Sequence, residues 1–245
     1  MQKFEYDIKG FVNSSKTPDT DKALFKRKYD EAIVLLDKGL HFLTENYNTV
    51  VLDPDTNYHQ SASGSTLPRG FYCPSPIWDV VVGNKKRGRL LIRESQRSNV
   101  SHRYVFSKDS ALLRVEMLYS GQVFATEYIK QYGEITYGFT IDTSGRIYAV
   151  SKELYHDGTL EQYTVVYYLF INSTYSVLNT HCESYWRDEL GLHTCEIVIC
   201  EHAVGHIDRK VYRFERNDGY LDSYYVIEDD KIVSPKYTVQ PRRKA

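Results

Sequence analysis

Around residues 134–141, Ile135, Tyr137, Phe139 and Ile141 alternate with Glu134, Thr136, Gly138 and Thr140. Leu113, Val115, Met117 and Tyr119 likewise alternate with Arg114, Glu116 and Leu118. A period of two sends successive side chains to opposite faces of a pleated strand, so both segments read as half-buried β-strands. Residues 163–171 and 195–200 are apolar on both faces. They call for cover on two sides, from a helix, a second sheet layer or a partner. Between such segments come turn-type glycines, at 121, 133, 145 and 158 and again at 191, 205 and 219. Glycine accepts positive φ without steric cost, so this spacing predicts an antiparallel meander of short hairpins. The expectation is a mainly β fold of roughly ten to twelve strands, and a sheet that wide tends to curl, close or fold onto itself.

The pattern changes at the amino-terminal end. Phe25, Tyr29, Ala32, Ile33, Leu36, Leu40 and Leu43 recur at intervals of three and four, with Lys26, Lys28, Asp30 and Lys38 left for water. This predicts one long amphipathic helix from near Thr17-Pro18-Asp19 to about Asn46, lying on the sheet. Pro54, Pro68, Pro74 and Pro76, with the run Ser61-Ala62-Ser63-Gly64-Ser65-Thr66, mark a connecting loop. The domain reading is therefore 1–52 for the helical segment, 53–76 for the loop and 77–240 for the meander. No proline falls between Pro76 and Pro235, as a continuous hydrogen-bonded ladder requires, and that interval holds 16 of the 22 tyrosines.

Charge narrows the choice of partner. With 31 Lys and Arg against 32 Asp and Glu, the net charge of -1 supplies no global positive field, which disfavours nucleic acid and anionic membrane. The charged start, Met1 to Asp7, does not resemble a signal peptide, and no run of about 18 apolar residues occurs. A soluble, cytoplasmic protein is expected. Four cysteines, at 73, 182, 195 and 200, are too few and too unevenly placed for a stapled secreted scaffold, so reduced thiols are expected.

The turn Asp142-Thr143-Ser144-Gly145-Arg146-Ile147-Tyr148, and less closely Tyr155 to Leu160 and Asn217 to Leu221, resembles that of bacterial YD-type and related β-meander repeats. In those repeats an acidic residue, a small residue and glycine precede a short strand. The Tyr-Asp pair itself is absent from these turns, and no glycine turn lies between Gly158 and Gly191. The resemblance implies an accessory protein of the immunity or antitoxin kind, which acts by covering the active surface of a cognate bacterial toxin.

Chemistry-bearing residues give two further leads. His181, Cys182, His193, Cys195, Cys200, His202 and His206 are ligand types that zinc selects, and His193, Cys195, Cys200 and His202 form the alternative, metal-dependent reading. Against it, Cys195 and Cys200 differ by an odd number along a strand and so face opposite ways. Cys73 is a conceivable nucleophile but carries no local signature. No strict metal, phosphate-loop or nucleophile-elbow spacing appears, so no catalytic residue and no cofactor are expected. Tyrosine joins apolar area to a hydrogen-bonding tip, and Tyr128, Tyr148, Tyr168, Tyr185 and Trp186 are expected to form an exposed binding patch. Asp142, Arg146, Asp157 and Asp218 would set specificity at its rim. The expected function is non-catalytic protein binding; a phage or structural module assembling through strand edges is a third possibility.

Overall fold

The computed structural model describes residues 18–45, 58–81, 86–92, 99–189, 191–217, 220–228, 231–233 and 236–238. Helix α1 (Asp19–Glu45) is followed by β1 (Tyr58–Ser63), a 3-10 turn (Gly70–Tyr72), the helical turn α2 (Trp78–Val81) and β2 (Arg89–Leu91). Then come β3 (Val100–Phe106), β4 (Leu112–Tyr119), β5 (Gln122–Tyr132), β6 (Ile135–Asp142), β7 (Ile147–His156) and β8 (Thr159–Ile171). The remaining strands are β9 (Thr174–Asp188), β10 (Gly191–Glu201), β11 (His206–Asn217), β12 (Tyr220–Glu228), β13 (Lys231–Ile232) and β14 (Tyr237–Thr238). All belong to one antiparallel sheet in the order β13-β12-β11-β10-β9-β8-β7-β6-β5-β4-β3-β1-β2, with β14 pairing off that path onto β12. The sheet is an open meander and does not close.

The glycine beat is the hairpin beat. Gly121, Gly133, Gly145, Gly158, Gly191 and Gly205 all have positive φ, and Gly219 lies outside the described residues. The interval without a glycine is turned by Asn172 and Ser173, whose φ values of 51° and 63° put both in the left-handed region. Asn tolerates that region well, which is why the rhythm survives there.

Each face of the central strands has its own cover. Val150, Val166, Tyr168 and Val177 pack under α1 with Ala32, Leu36 and Phe42. Phe42 stacks on Phe139 with ring centroids 4.5 Å apart, and the Tyr168 hydroxyl donates to the Ala32 carbonyl at 2.8 Å. Phe25, near the other end of α1, meets Val198 and Cys200 on β10. The 17 residues from Phe25 to Phe42 advance about 25 Å, close to the five strand spacings from β10 to β5, so α1 crosses the strands steeply. The helical stripe differs in detail from the sequence expectation. Leu35 and Phe42 are buried, whereas Ile33 is 41% exposed. Lys28, expected in water, is buried: its Nζ donates to Glu31 Oε2 at 2.9 Å and to Cys182 Sγ at 3.4 Å.

The opposite face is covered by residues 64–81, a strap that leaves β1 and returns toward β2. Residues 53–76, expected to be a connecting loop, contain a strand, because β1 inserts between β3 and β2. Leu67, Cys73, Ile77 and Trp78 of the strap pack on Ala149, Tyr163, Val165, Tyr185, Cys195 and Ile197. The strap spans most of the sheet: the Phe71 amide donates to Tyr104 Oη on β3 at 2.8 Å, and Tyr224 Oη on β12 donates to the Val80 carbonyl at 3.3 Å. Nine strand spacings separate β3 from β12, about 43 Å along the sheet, while the nine residues from 71 to 80 reach about 31 Å at full extension. The sheet therefore curls toward the strap, which acts as the chord of its arc.

Burial of two histidines makes this fold acid-sensitive. His202 packs against Phe25 and Tyr29 and bonds Thr180 Oγ1 at 2.9 Å, leaving Nδ1 sealed without a partner. Burial lowers the pKa values of His202 and His102 to about 4. Both rings fold neutral, so the unfolded chain takes up their protons first as pH drops below the ordinary histidine range. Stability is expected to fall by about 2 kcal/mol per histidine between pH 7.5 and pH 5. Urea denaturation at the two pH values should show His202→Phe losing about half of that difference; an unchanged slope would refute this origin.

Candidate functional site

Beneath the strap, Arg69 enters the sheet from a left-handed backbone position (φ 58°) and is 3% exposed. Its Nε and Nη2 donate to Glu127 Oε1 at 3.1 and 2.7 Å, Nη1 donates to Glu153 Oε1, and Nη2 also donates to Ser151 Oγ at 2.9 Å. Tyr155 Oη donates to Glu153 Oε2 at 2.7 Å. Burial opposes the guanidinium charge, but Glu127 and Glu153 outweigh it and hold the Arg69 pKa well above its usual value. Room for this cluster comes from Gly138, where a Cβ would lie 1.9 Å from Glu127 Oε1 and 2.6 Å from Arg69 Nη2. A glycine inside a strand often marks such a close approach.

A second anchor holds the next part of the strap. Glu183, fully buried on β9, accepts from Ser75 Oγ at 2.6 Å and from the Tyr185 hydroxyl on Oε2, and lies 2.7 Å from His181 Nε2 through Oε1. Trp78 stacks on the His181 ring at 4.3 Å. Arg87 donates to the carbonyls of Cys73 and Ser75 and so fixes the strap's own backbone.

Beside these anchors the curled sheet leaves a half-open trough of about 610 Å³. Its walls come from β4 and β5 on one side and from β9 and β10 on the other, with β6–β8 as the floor and the strap at one end. At its lip stand Tyr119, Phe124 and Tyr148, exposed by 78, 46 and 43%. Tyr148 reaches the strap side because the β6–β7 register shifts between Thr140 and Ile141, so that it meets Tyr167 edge-on at 5.8 Å. Such a bulge re-aims a side chain. The floor carries Ser151 and Thr140, the walls Glu127 and His181, and His102 stands at the strap end.

The residues expected to form one exposed aromatic patch do not come together. Tyr128 and Tyr168 are buried under α1, and Tyr185 is buried beneath the strap. Tyrosine suits a covered strand as well as an open one, so residue type alone did not separate buried from exposed positions. Tyr148 belongs to the trough lip, and Trp186 is 51% exposed elsewhere on β9. Asp142 is a turn residue whose Oδ1 accepts from the amides of Ser144 and Arg146 at 2.8 and 2.9 Å, and Arg146 lies over the Phe170 ring at 4.7 Å. Asp157, in the β7–β8 turn, is at the opposite end of the strands, and Asp218 lies outside the described residues.

The His/Cys group is dispersed. Cys195 packs under the strap and Cys200 under α1, as their odd spacing requires. His193 bonds Thr194 Oγ1, and His202 bonds Thr180. Among the described residues no group of three or more His, Cys, Asp or Glu is placed to hold a metal ion. Burial pushes the thiols of Cys73 and Cys200 up to about 12 and that of Cys195 higher still, so all three stay protonated near neutrality. No helix of the described residues is long and apolar enough to cross a membrane. In comparison with known proteins, no family model and no curated sequence matches the chain.

The strap depends on its buried charges. Arg69→Met leaves two carboxylates under the strap without their cation and is expected to destabilise the fold by about 3–5 kcal/mol. Gly138→Ala forces the same cluster apart and is expected to cost about 3 kcal/mol. Chemical denaturation reads both, and a loss below about 1 kcal/mol for either would contradict the packing described.

Proposed function

We propose that this chain is a non-catalytic protein-binding protein whose trough receives a projecting segment of a partner. The observation that carries this reading is the aromatic lip. Tyr119, Phe124 and Tyr148 are held open on a rigid sheet at the mouth of a concavity of about 610 Å³, within the size range of ligand sites. Large aromatics around a desolvated pocket are the usual source of binding energy at interfaces. The groups that could do chemistry are engaged in holding the strap. Ser75 donates to Glu183, Ser151 donates to Glu127, and burial keeps Cys73 protonated. Both serine hydroxyls donate to carboxylates that are themselves tied to the strap, and neither has the histidine partner that usually activates a serine nucleophile. The specific version of the proposal is an immunity or antitoxin-like inhibitor that occludes a cognate bacterial toxin, in keeping with the turn resemblance over residues 142–148.

The test compares the tagged protein with a triple variant, Tyr119→Ser, Phe124→Ser and Tyr148→Ser, in affinity capture from its native host with mass spectrometry. One stoichiometric partner held by the parent protein and lost by the variant is expected. Co-expression with the parent protein should relieve that partner's toxicity. Equal capture by both proteins would exclude the trough as the site, and a partner without toxicity would exclude the inhibitor version.

A further inference from the structure

Three polar side chains that line the trough, Glu127, His102 and His181, are each more than nine-tenths buried, and each keeps one atom without a described donor. Glu127 Oε1 takes three hydrogen bonds, from Arg69 Nε and Nη2 and from Ser151 Oγ, while Oε2 takes none among the described residues. His181 faces the Glu183 carboxylate through Nε2. Glu183 is an acceptor there, already receiving two hydroxyls, so Nε2 carries a proton toward it, and in the neutral tautomer Nδ1 keeps its lone pair. In His102 the same logic runs through Ser101. That hydroxyl gives its one hydrogen to the Ala62 carbonyl at 3.2 Å and accepts from the Ser65 amide at 3.2 Å. It therefore accepts from His102 Nδ1 at 3.1 Å, and Nε2 is left as an acceptor. Burial keeps this ring neutral, with its pKa lowered to about 4.

None of these three atoms is sealed off. The sealed polar side-chain atoms without a partner, among the described residues, are Arg114 Nε and His202 Nδ1 alone. The trough thus offers a carboxylate oxygen and two imidazole lone pairs; no lysine or arginine is among its described lining residues, and the nearby Arg69, bonded to Glu127 Oε1, is already matched by the two carboxylates of Glu127 and Glu153. The Tyr163 and Tyr167 hydroxyls can donate or accept and do not alter that balance. Around the acceptors stand aromatic rings, whose faces attract cations.

We propose that the trough recognises an arginine side chain projecting from the protein partner, its guanidinium donating to Glu127 beneath the rings of the aromatic lip, with His102 and His181 as further acceptors along the trough. Guanidinium fits better than ammonium because it is planar, presents five N–H donors in a fixed fork, stacks on aromatic rings and is weakly hydrated. The proposal rests on the trough being the partner's site, and it names the chemistry read there.

The direct test is fluorescence titration in a Trp186→Phe background, where Trp78, in the trough wall, is the one remaining tryptophan of the two in the chain. The probes are acetyl-arginine-amide, acetyl-citrulline-amide and acetyl-lysine-amide. Citrulline keeps the shape of arginine and loses its charge. Saturable binding of the arginine probe, at least about tenfold tighter than the citrulline probe, is expected. Glu127→Gln should remove that difference. Because this variant also weakens the Arg69 anchor, Phe124→Ala serves as a second variant at the exposed lip and should weaken arginine binding with the fold intact. Citrulline binding as tightly as arginine, or no binding of either, would overturn the proposal. Lysine binding as tightly as arginine would overturn the assignment to guanidinium. If arginine fails while the triple lip variant still loses its partner, this inference falls and the trough remains the partner's site. If arginine binds while the lip variant keeps its partner, the proposed function falls instead.

Discussion

The arrangement of the strap face depends on one buried cation. Arg69 sits between Glu127 and Glu153, and these three charges join a segment that has little regular structure to the middle of the sheet. Buried charges are costly to desolvate, and they are tolerated where geometry and hydrogen bonding are complete. Here Ser151, Tyr155 and the absent side chain of Gly138 complete them. Burying charge in this way adds less to net stability than to uniqueness. An apolar strap could slide over an apolar sheet, whereas a guanidinium with two fixed carboxylates has a single register.

The two covers of the sheet are built on different principles. Helix α1 is held by ring stacking and aliphatic contact over a long, continuous stripe, with Phe25 and Phe42 on strands five spacings apart. The strap is held at a few polar points, Arg69, Ser75 and the Val80 carbonyl, with apolar side chains between them. A helix covers its footprint fully. A strap covers a band, and what it leaves bare on the same face is the trough. The trough is therefore the part of a two-sided core that lacks its second layer.

Much of the architecture was legible in the chain. Period-two stretches such as 135–141 and the regular glycines required hairpins, and these constraints are local, acting between residues close in sequence. Residues 163–171 announced cover on both faces. Illegible were the features that arise from pairs far apart in sequence. Nothing near Arg69 signals partners 58 and 84 residues away, and nothing around Lys28 signals a cysteine 154 residues away. Gly138 looked like one more residue of the polar face, although an interior strand glycine among β-branched and aromatic neighbours was the available hint of close approach. Tyr128, Tyr168 and Tyr185 misled because tyrosine suits a covered strand as well as an open one. Asn172 and Ser173 show the reverse case, in which turn geometry persisted with a weaker signature.

The strap leaves the sheet at the β1 edge and fastens to β12 far across the arc. A chord fixed at its ends sets the radius of the arc it spans. The width of the trough is thus gauged by a count of residues in 64–81, a quantity independent of any strand's sequence. Adding or removing residues there would open or tighten the aperture as a drawstring does, while the hairpins and the helix kept their registers. In such a molecule the dimension of the trough and the stability of the scaffold can vary separately, because they are written in different stretches of the chain.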